Sequence, residues 1–202
     1  LKAASETAEC FLIGACVPHA QIEDRRVPDP TGGFMSSVAA SIAYRAVRNR
    51  GTLGGSLAHA DPAADWPAAM TLLNAIAVVA GPKGRREIPV ASFITGIFTT
   101  ALAADELLVA VRIPKRSPRA RYGYWKFCRK AGEFAQAIGA ALHDPETNEW
   151  RAVIGAIGGP PYALKSNEPP EDAMNAAGIG DDAYSRRIHA VALKRAVAQI
   201  VQ

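Results

Sequence analysis

The stretch RNRGTLGGSLAHADPAADWP, Arg48 to Pro67, sets three glycines, a Thr and a Ser between two charged ends. Glycine allows positive φ and lets main-chain N–H groups come close to a ligand, while Thr52 and Ser56 add short hydroxyl donors. That combination favours an anion. A cluster of such N–H groups, a nest, cradles a pyrophosphate without one side-chain charge, and Arg48 and Arg50 add positive potential at its entrance. Asp61 and Asp65 only accept hydrogen bonds when ionised, so they suit ribose hydroxyls or an adenine amino group. Phosphate followed by sugar is the order of a nucleotide site. The same residues also read as a tight turn between a strand and a helix, with Asp65 capping that helix ahead of Pro67. Glycine-rich loops alone are weak motifs.

On the N-terminal side, Phe11-Leu12-Ile13-Gly14-Ala15 is an apolar run ending at a glycine, as in a buried strand that delivers its last residues to a site. Phe34, Val38, Ile42 and Ala46 recur at four-residue spacing through FMSSVAASIAYRAV, which predicts one helix feeding the glycine stretch. On the C-terminal side, a second helix starts near Asp65, with Pro67 in its first turn and Trp66, Met70 and Leu73 inside, and stops by Asn74. AIAVVAGPKGRREIPVASF predicts a hairpin with an exposed basic turn that leaves Arg85 and Arg86 solvated. LLVAVRIP, closed by Pro114, and YGYWKF, Tyr122 to Phe127, read as a strand pair across a basic linker. AQAIGAALH is ambiguous between helix and strand and is taken as sheet beside WRAVIGAIGG, a plainer strand. Lys165 to Asp182 reads as a polar surface loop. DAYSRRIHAVALKRAVAQI carries Tyr184, Ile188, Val191 and Arg195 at helical spacing, capped by Asp181 or Asp182. Together these predict an α+β chain with a smaller C-terminal domain from about Lys115.

With 202 residues and 49% hydrophobic content, the chain can bury a real core. Its longest apolar run, Leu72 to Ala80, is broken by Asn74 and is well short of the roughly 20 residues a membrane span needs. The first residues, Leu1 to Glu6, hold neither an initiator Met nor a signal-peptide pattern, which is the look of a fragment. A net charge of +4, scattered and without any recognition motif, does not indicate nucleic acid. Cys10, Cys16 and Cys128 form no CxxC pair, so neither a disulfide framework nor a metal site is suggested, and a reducing, cytoplasmic compartment fits. Cys16 and His19 stand three apart, as a nucleophile and its base would, but nothing nearby orients them.

Through RNRGTLGGSLAHADPAAD the chain resembles the flavin-binding subunit or domain of the molybdenum hydroxylases, the family of xanthine dehydrogenase and bacterial carbon monoxide dehydrogenase. Further pieces agree in order and spacing: IGA at Ile13 to Ala15, DELLVAVRIP at Asp105 to Pro114, YWKF at Tyr124 to Phe127, and DAYSRRIHAVALKRAV near the end. The resemblance implies an FAD-binding domain of the vanillyl-alcohol-oxidase (PCMH) type over 1–114 and a small C-terminal domain of sheet and helix over 115–202. It also implies that Thr52, Leu53, Gly54, Gly55 and Ser56 form one loop at the FAD and that Asp65 makes a polar contact to it. Ile13, Gly14 and Ile42 would lie close to the dinucleotide. Leu108 would be an apolar wall, although any buried strand would place a Leu there. Lys126 would be a cation or donor toward the cofactor, and an inward Lys needs a partner in any case.

The family divides its chemistry. A molybdopterin-binding large subunit oxidises the substrate, 2Fe-2S centres on a small subunit carry electrons singly, and FAD hands them to NAD, a quinone, a cytochrome or oxygen. By resemblance this chain is the flavoprotein subunit of such an oxidoreductase, in a dimer of heterotrimers, with no catalytic triad and no metal of its own. Three scattered cysteines cannot supply a four-thiolate cluster. The family also carries an N-terminal lobe with its own phosphate loop of the AGGxSL kind, and nothing here matches it. The expectation is that this lobe precedes the present stretch in a longer chain, since half a nest leaves a pyrophosphate badly satisfied. Two other readings stay open: a flavin-free assembly scaffold of the same complex, and a stand-alone flavin oxidoreductase, against which stands the lack of an acid and base pair. Arg45, Arg48 and Arg50 face either a partner subunit or solvent. His19 and His59 are either at the flavin edge or hydrogen-bonded loop residues, while His143 and His189 fall on a strand end and a polar helix face.

Overall fold

The computed structural model describes residues 1–165 and 168–201. In chain order the first half contains β1 (Ala4–Glu6), β2 (Cys10–Gly14), α1 (His19–Glu23), α2 (Phe34–Ala40), α3 (Arg45–Arg48), α4 (Leu53–His59) and α5 (Asp65–Leu72). Then come β3 (Ile76–Gly81), β4 (Gly84–Pro89), α6 (Val90–Phe93), β5 (Ile94–Gly96), β6 (Thr99–Thr100) and β7 (Leu107–Pro114). The second half holds β8 (Arg121–Phe127), β9 (Ala137–Asp144), β10 (Glu149–Gly155), β11 (Tyr162–Ala163), α7 (Pro170–Ala176) and α8 (Ala183–Ala198).

Two antiparallel sheets carry the architecture. The first has the order β1-β2-β7-β3-β4, and its central strand, β7, is the Leu- and Val-rich run that ends at Pro114. The predicted hairpin is β3–β4, paired from Ile76 with Pro89 to Gly81 with Gly84. The second sheet has the order β11-β10-β9-β8. β7 and β8 therefore do not pair with each other, contrary to the sequence reading: the basic linker carries the chain from one sheet to the other. AQAIGAALH is strand β9, buried along nearly its whole length between β8 and β10.

All eight residues of α5 are buried. Beyond Asp65 and Thr71 the helix is apolar and must be covered on every side, and α5 packs against α2, α4, β9 and β10. Trp66, Met70 and Leu72 consequently share one continuous core with Ile13, Leu53 and Val111 of the first half and Ile138, Leu142 and Val153 of the second.

Further sequence expectations need correction. The single helix predicted from Phe34 to Val47 is two, because Ala43 takes a left-handed φ of 43° and ends the run. The freed carbonyls of Ile42 and Ala43 each accept from Arg48 Nη1 at 2.9 Å. The loop from Lys165 to Asp182 contains α7, started by Pro170 and by Glu171 and Asp172, which suit the positive end of a helix; positions 166 and 167 lie outside the described residues. In α8 the sheet-facing stripe is His189, Ala192, Leu193 and Ala196, whereas Tyr184 is 58% exposed. His189 thus lies inside, its ring nitrogens 2.8 Å from Ser185 O and 3.1 Å from Ala156 O, and not on a polar face. Small residues face the sheet because α8 rests directly on Gly123 of β8 and Gly139 of β9, where any Cβ would overlap the main chain of Ala196 and Ala192. Arg86 is not simply solvated: its guanidinium donates twice to Glu106, both at 2.7 Å. Asp182 caps α8 as expected, accepting from Ser185 N at 2.7 Å.

Candidate functional site

The glycine stretch is where the structure departs most from the nest predicted for it. Thr52 is the N-cap of α4, and its Oγ1 accepts from Gly55 N at 3.0 Å, so Leu53, Gly54, Gly55 and Ser56 form the first turn of a helix. The other three amides are also engaged within the chain. Leu53 N donates to Val17 O at 3.1 Å, Gly54 N to Ala15 O at 2.9 Å and Ser56 N to Thr52 O at 3.0 Å. These amides do not form an open cradle. Gly54 is required by packing, since a Cβ there would lie 2.6 Å from Ala15 Cα at the exit of β2. Gly55 is exposed, and a Cβ there would lie 2.8 Å from the capping hydroxyl of Thr52. Nor does Arg48 lend its charge to this turn: its Nε and Nη2 both donate to Glu23 at 2.8 Å, and Arg45 pairs with Glu23 and Asp24 at 2.6 Å.

The chemistry gathers instead around Asp65, which is only 4% exposed at the start of α5. It does not cap that helix; the N-cap is Ala64, which makes no side-chain cap. Asp65 Oδ1 accepts from Tyr124 OH at 2.7 Å and shares the Ser41 Oγ proton, 3.1 Å away, with Val38 O at 2.8 Å, and Oδ2 accepts from Lys126 Nζ at 2.9 Å. Lys126 Nζ also donates to Ser41 O at 3.2 Å. Burial and the Asp65 charge hold the Tyr124 hydroxyl well above its usual pKa, so it stays a proton donor. Sequence reasoning found Asp65 and Lys126 and missed Tyr124, although residues two apart in a strand share a face. Ser41, just past α2, gave no sequence signal.

His19 lies beside this cluster. Trp66 Nε1 can only donate, and it lies 3.0 Å from His19 Nδ1, so the imidazole accepts there and carries its proton on Nε2. Burial is the main cause that pushes its pKa down to about 4; Asp65 opposes the shift and Arg48 adds to it. A neutral ring bound to Trp66 is a structural element, not the base of a Cys16 dyad. His59 is exposed and tilts against the Phe98 ring at 5.0 Å.

A cavity of about 190 Å³ opens beside the cluster, walled by Ile42, Ala43, Val47 and Phe134 and edged by His19, Ser56, His59, Asp61, Asp65, Lys126 and Glu133, so both histidines considered for the flavin edge lie on it. It brings together Ile42, Ser56, Asp65 and Lys126 of the predicted site residues. Thr52, Leu53, Gly54 and Gly55 adjoin it through the turn that carries Ser56, without lining it. Ile13 is buried in the core, Gly14 packs against the main chain of Leu1 and Ala3, and Leu108 pairs with Val79 in the first sheet. None of those three lines the cavity. A larger open groove of about 730 Å³ runs along the same face of β8, past Tyr122 and Tyr124, to the opposite side of Lys126.

The family model described as the FAD binding domain in molybdopterin dehydrogenase matches residues 1–116. The medium subunit of nicotine 6-hydroxylase from Paenarthrobacter nicotinovorans is 33% identical over 88% of this chain and 62% of its own length. The carbon monoxide dehydrogenase medium chain of Hydrogenophaga pseudoflava is 33% identical over 68% of this chain and 48% of its own. The solved structure of carbon monoxide dehydrogenase from Hydrogenophaga pseudoflava lacking the Mo-pyranopterin moiety superposes with a TM-score of 0.86. It is 26% identical, covering 99% of this chain and 78% of that one. Quinoline 2-oxidoreductase from Pseudomonas putida 86 gives a TM-score of 0.78 at 27% identity, covering 100% of this chain and 80% of that one. The chain spans 55–62% of the length of the first three curated relatives it matches. A match over more than half of the sequence, on a fold shared along nearly its whole length, places the chain in the family of FAD-binding domains of molybdopterin dehydrogenases.

Proposed function

We propose that this chain is the flavin-carrying part of a molybdenum hydroxylase and that the cavity beside Asp65 and Lys126 receives the flavin ring. The observation that carries this reading is the convergence of Ile42, Ser56, Asp65 and Lys126 on one cavity. Its donor set fits the group: an ammonium and a hydroxyl for ring carbonyls or phosphate, beside apolar walls for a flat ring. Pockets for drug-sized ligands run to roughly 300–1,000 Å³, so a cavity of about 190 Å³ takes only part of a dinucleotide. The remainder would have to lie outside it, and Gly55, Ala58 and His59 are the exposed positions of the adjoining helix α4.

A bound flavin supplies acceptance of single electrons and their delivery in pairs. The protein's share is positional. Lys126 is held by Asp65 and Ser41 so that its charge stays at the cavity wall, and Ile42, Val47 and Phe134 supply apolar surface beside it. By likeness to the medium subunits, the partners are a molybdopterin-binding large subunit and a 2Fe-2S small subunit, in a dimer of heterotrimers. The flow runs from the 2Fe-2S centres through FAD to an external acceptor. We further assign the first sheet and its helices, residues 1–114, to an FAD-binding domain of the PCMH type, and residues 115–202 to the small C-terminal domain. The three free cysteines suit a reducing, cytoplasmic setting. Among the described residues no helix is long and apolar enough to cross a membrane.

Purification of the full-length protein tests the reading. It should be yellow with stoichiometric FAD, and Lys126→Met should weaken FAD binding about tenfold, the loss expected for one hydrogen bond from a charged group. A colourless protein that still joins the large and small subunits would instead identify a scaffold.

A further inference from the structure

We propose that Tyr124 and Ser41 are positioning residues which act through Asp65 on Lys126, so that the four together set how much positive charge faces a bound flavin ring. The inference rests on the flavin reading above. Asp65 is 4% exposed and the Lys126 side chain 8%, so neither charge has water to complete its hydrogen bonds. A buried ion pair is stable only when its remaining lone pairs and protons are satisfied. Here they nearly all are. Asp65 Oδ1 takes the Tyr124 hydroxyl at 2.7 Å and part of the one Ser41 hydroxyl proton at 3.1 Å, which is shared with Val38 O at 2.8 Å, and leaves Oδ2 to Lys126 at 2.9 Å. Of the three ammonium protons of Lys126, one goes to Asp65 and one to Ser41 O at 3.2 Å, which leaves one for a ligand in the cavity.

Three elements meet at this point and each contributes through its backbone placement. Tyr124 and Lys126 stand two apart on β8, Asp65 opens α5, and Ser41 comes just after α2. The hydroxyl donors do more than hold the carboxylate still. Each draws off part of the Asp65 charge, and that charge otherwise cancels Lys126 at close range in a poorly solvated wall. A ring that takes up electrons gains negative charge, and charge near the ring tunes its readiness to do so. Loss of the Tyr124 hydroxyl lets Asp65 offset Lys126 more fully. Loss of the Asp65 charge does the opposite.

The test is a spectroelectrochemical titration of the bound flavin in the full-length flavoprotein, comparing wild type, Tyr124→Phe, Ser41→Ala and Asp65→Asn. The expected result is a downward shift of the flavin potential in Y124F and in S41A and an upward shift in D65N, with FAD still bound. If D65N does not fold, the paired downward shifts of Y124F and S41A carry the test. A yellow Y124F whose potential equals that of wild type, whether or not its stability falls, would overturn the positioning role and leave the flavin reading intact. A downward shift in D65N would overturn it equally. A colourless wild type would overturn the flavin reading, and this inference with it.

Discussion

Gly54 and Gly55 stand side by side in the first turn of α4 and answer to different neighbours. Gly54 is buried where α4 meets β2, and a Cβ there would lie 2.6 Å from Ala15 Cα and 2.7 Å from Ala15 O, main-chain atoms that cannot step aside. Gly54→Ala should therefore cost about 1–3 kcal/mol, the usual range for overpacking. Gly55→Ala, crowding only the Thr52 hydroxyl at 2.8 Å, should cost about 1 kcal/mol, the worth of a cap. Urea unfolding of the two variants distinguishes them. His19 makes a second prediction at this scale. Its pKa is pushed from an ordinary 6.5 down to about 4, chiefly by burial. Above pH 6.5 the ring is neutral in both folded and unfolded chains; as pH falls toward 4 the unfolded chain takes the proton first, so stability drops across that window. The contribution is at most about 3 kcal/mol. His19→Gln, whose amide oxygen can still accept from Trp66, should flatten the stability profile between pH 6.5 and 4, measured by denaturant midpoints. Residue type and order pointed to Asp65 in the sequence, whereas Lys126 was singled out through the family resemblance and through the need of an inward Lys for a partner. The use to which the amides of Leu53 and Gly54 are put was not legible, because it depends on carbonyls of Val17 and Ala15 that lie far off in sequence.

Among elements, α8 shows where pattern reading fails. Helical spacing alone picks out both Tyr184–Ile188–Val191–Arg195 and His189–Ala192–Leu193–Ala196, and size favours the first set. The sheet decides for the second, because Gly139 offers no side chain and the helix backbone descends onto it, leaving a Cβ only 2.5 Å from Leu193 N. Gly139→Ala should lift α8 and cost about 1–3 kcal/mol, with Tm falling while the first sheet keeps its protection in hydrogen exchange. The strands β2, β3, β7 and β10 were readable from composition, as each carries a short apolar run with a turn or a proline at its end, and the charged β4 from its place across the turn from β3. The break between α2 and α3 was not, since it depends on Ala43 at positive φ and on Arg48 reaching back to two carbonyls. Ala carries no mark of that conformation.

In the whole molecule, most strands and the linker after Pro114 could be read from the order of apolar runs, but their division into two sheets and the packing of those sheets could not. The sequence divides near Lys115, and the sheets do likewise, the last strand of one ending at Pro114 and the first of the other beginning at Arg121. The interior disregards that border. Burial on all sides of α5 means that Trp66, Met70 and Leu72 are clothed partly by Ile138, Leu142 and Val153. A fragment ending at residue 116 should therefore expose a helix with no polar side to offer water, and sedimentation should find it aggregated, while the intact chain unfolds in one step by both near- and far-ultraviolet dichroism. Proteolysis in the linker would on the same grounds leave a nicked pair that stays together in buffer and parts only in denaturant. Evolution could lengthen the connection between Pro114 and Arg121 freely, but could not shed the second sheet without first repainting α5 in charge.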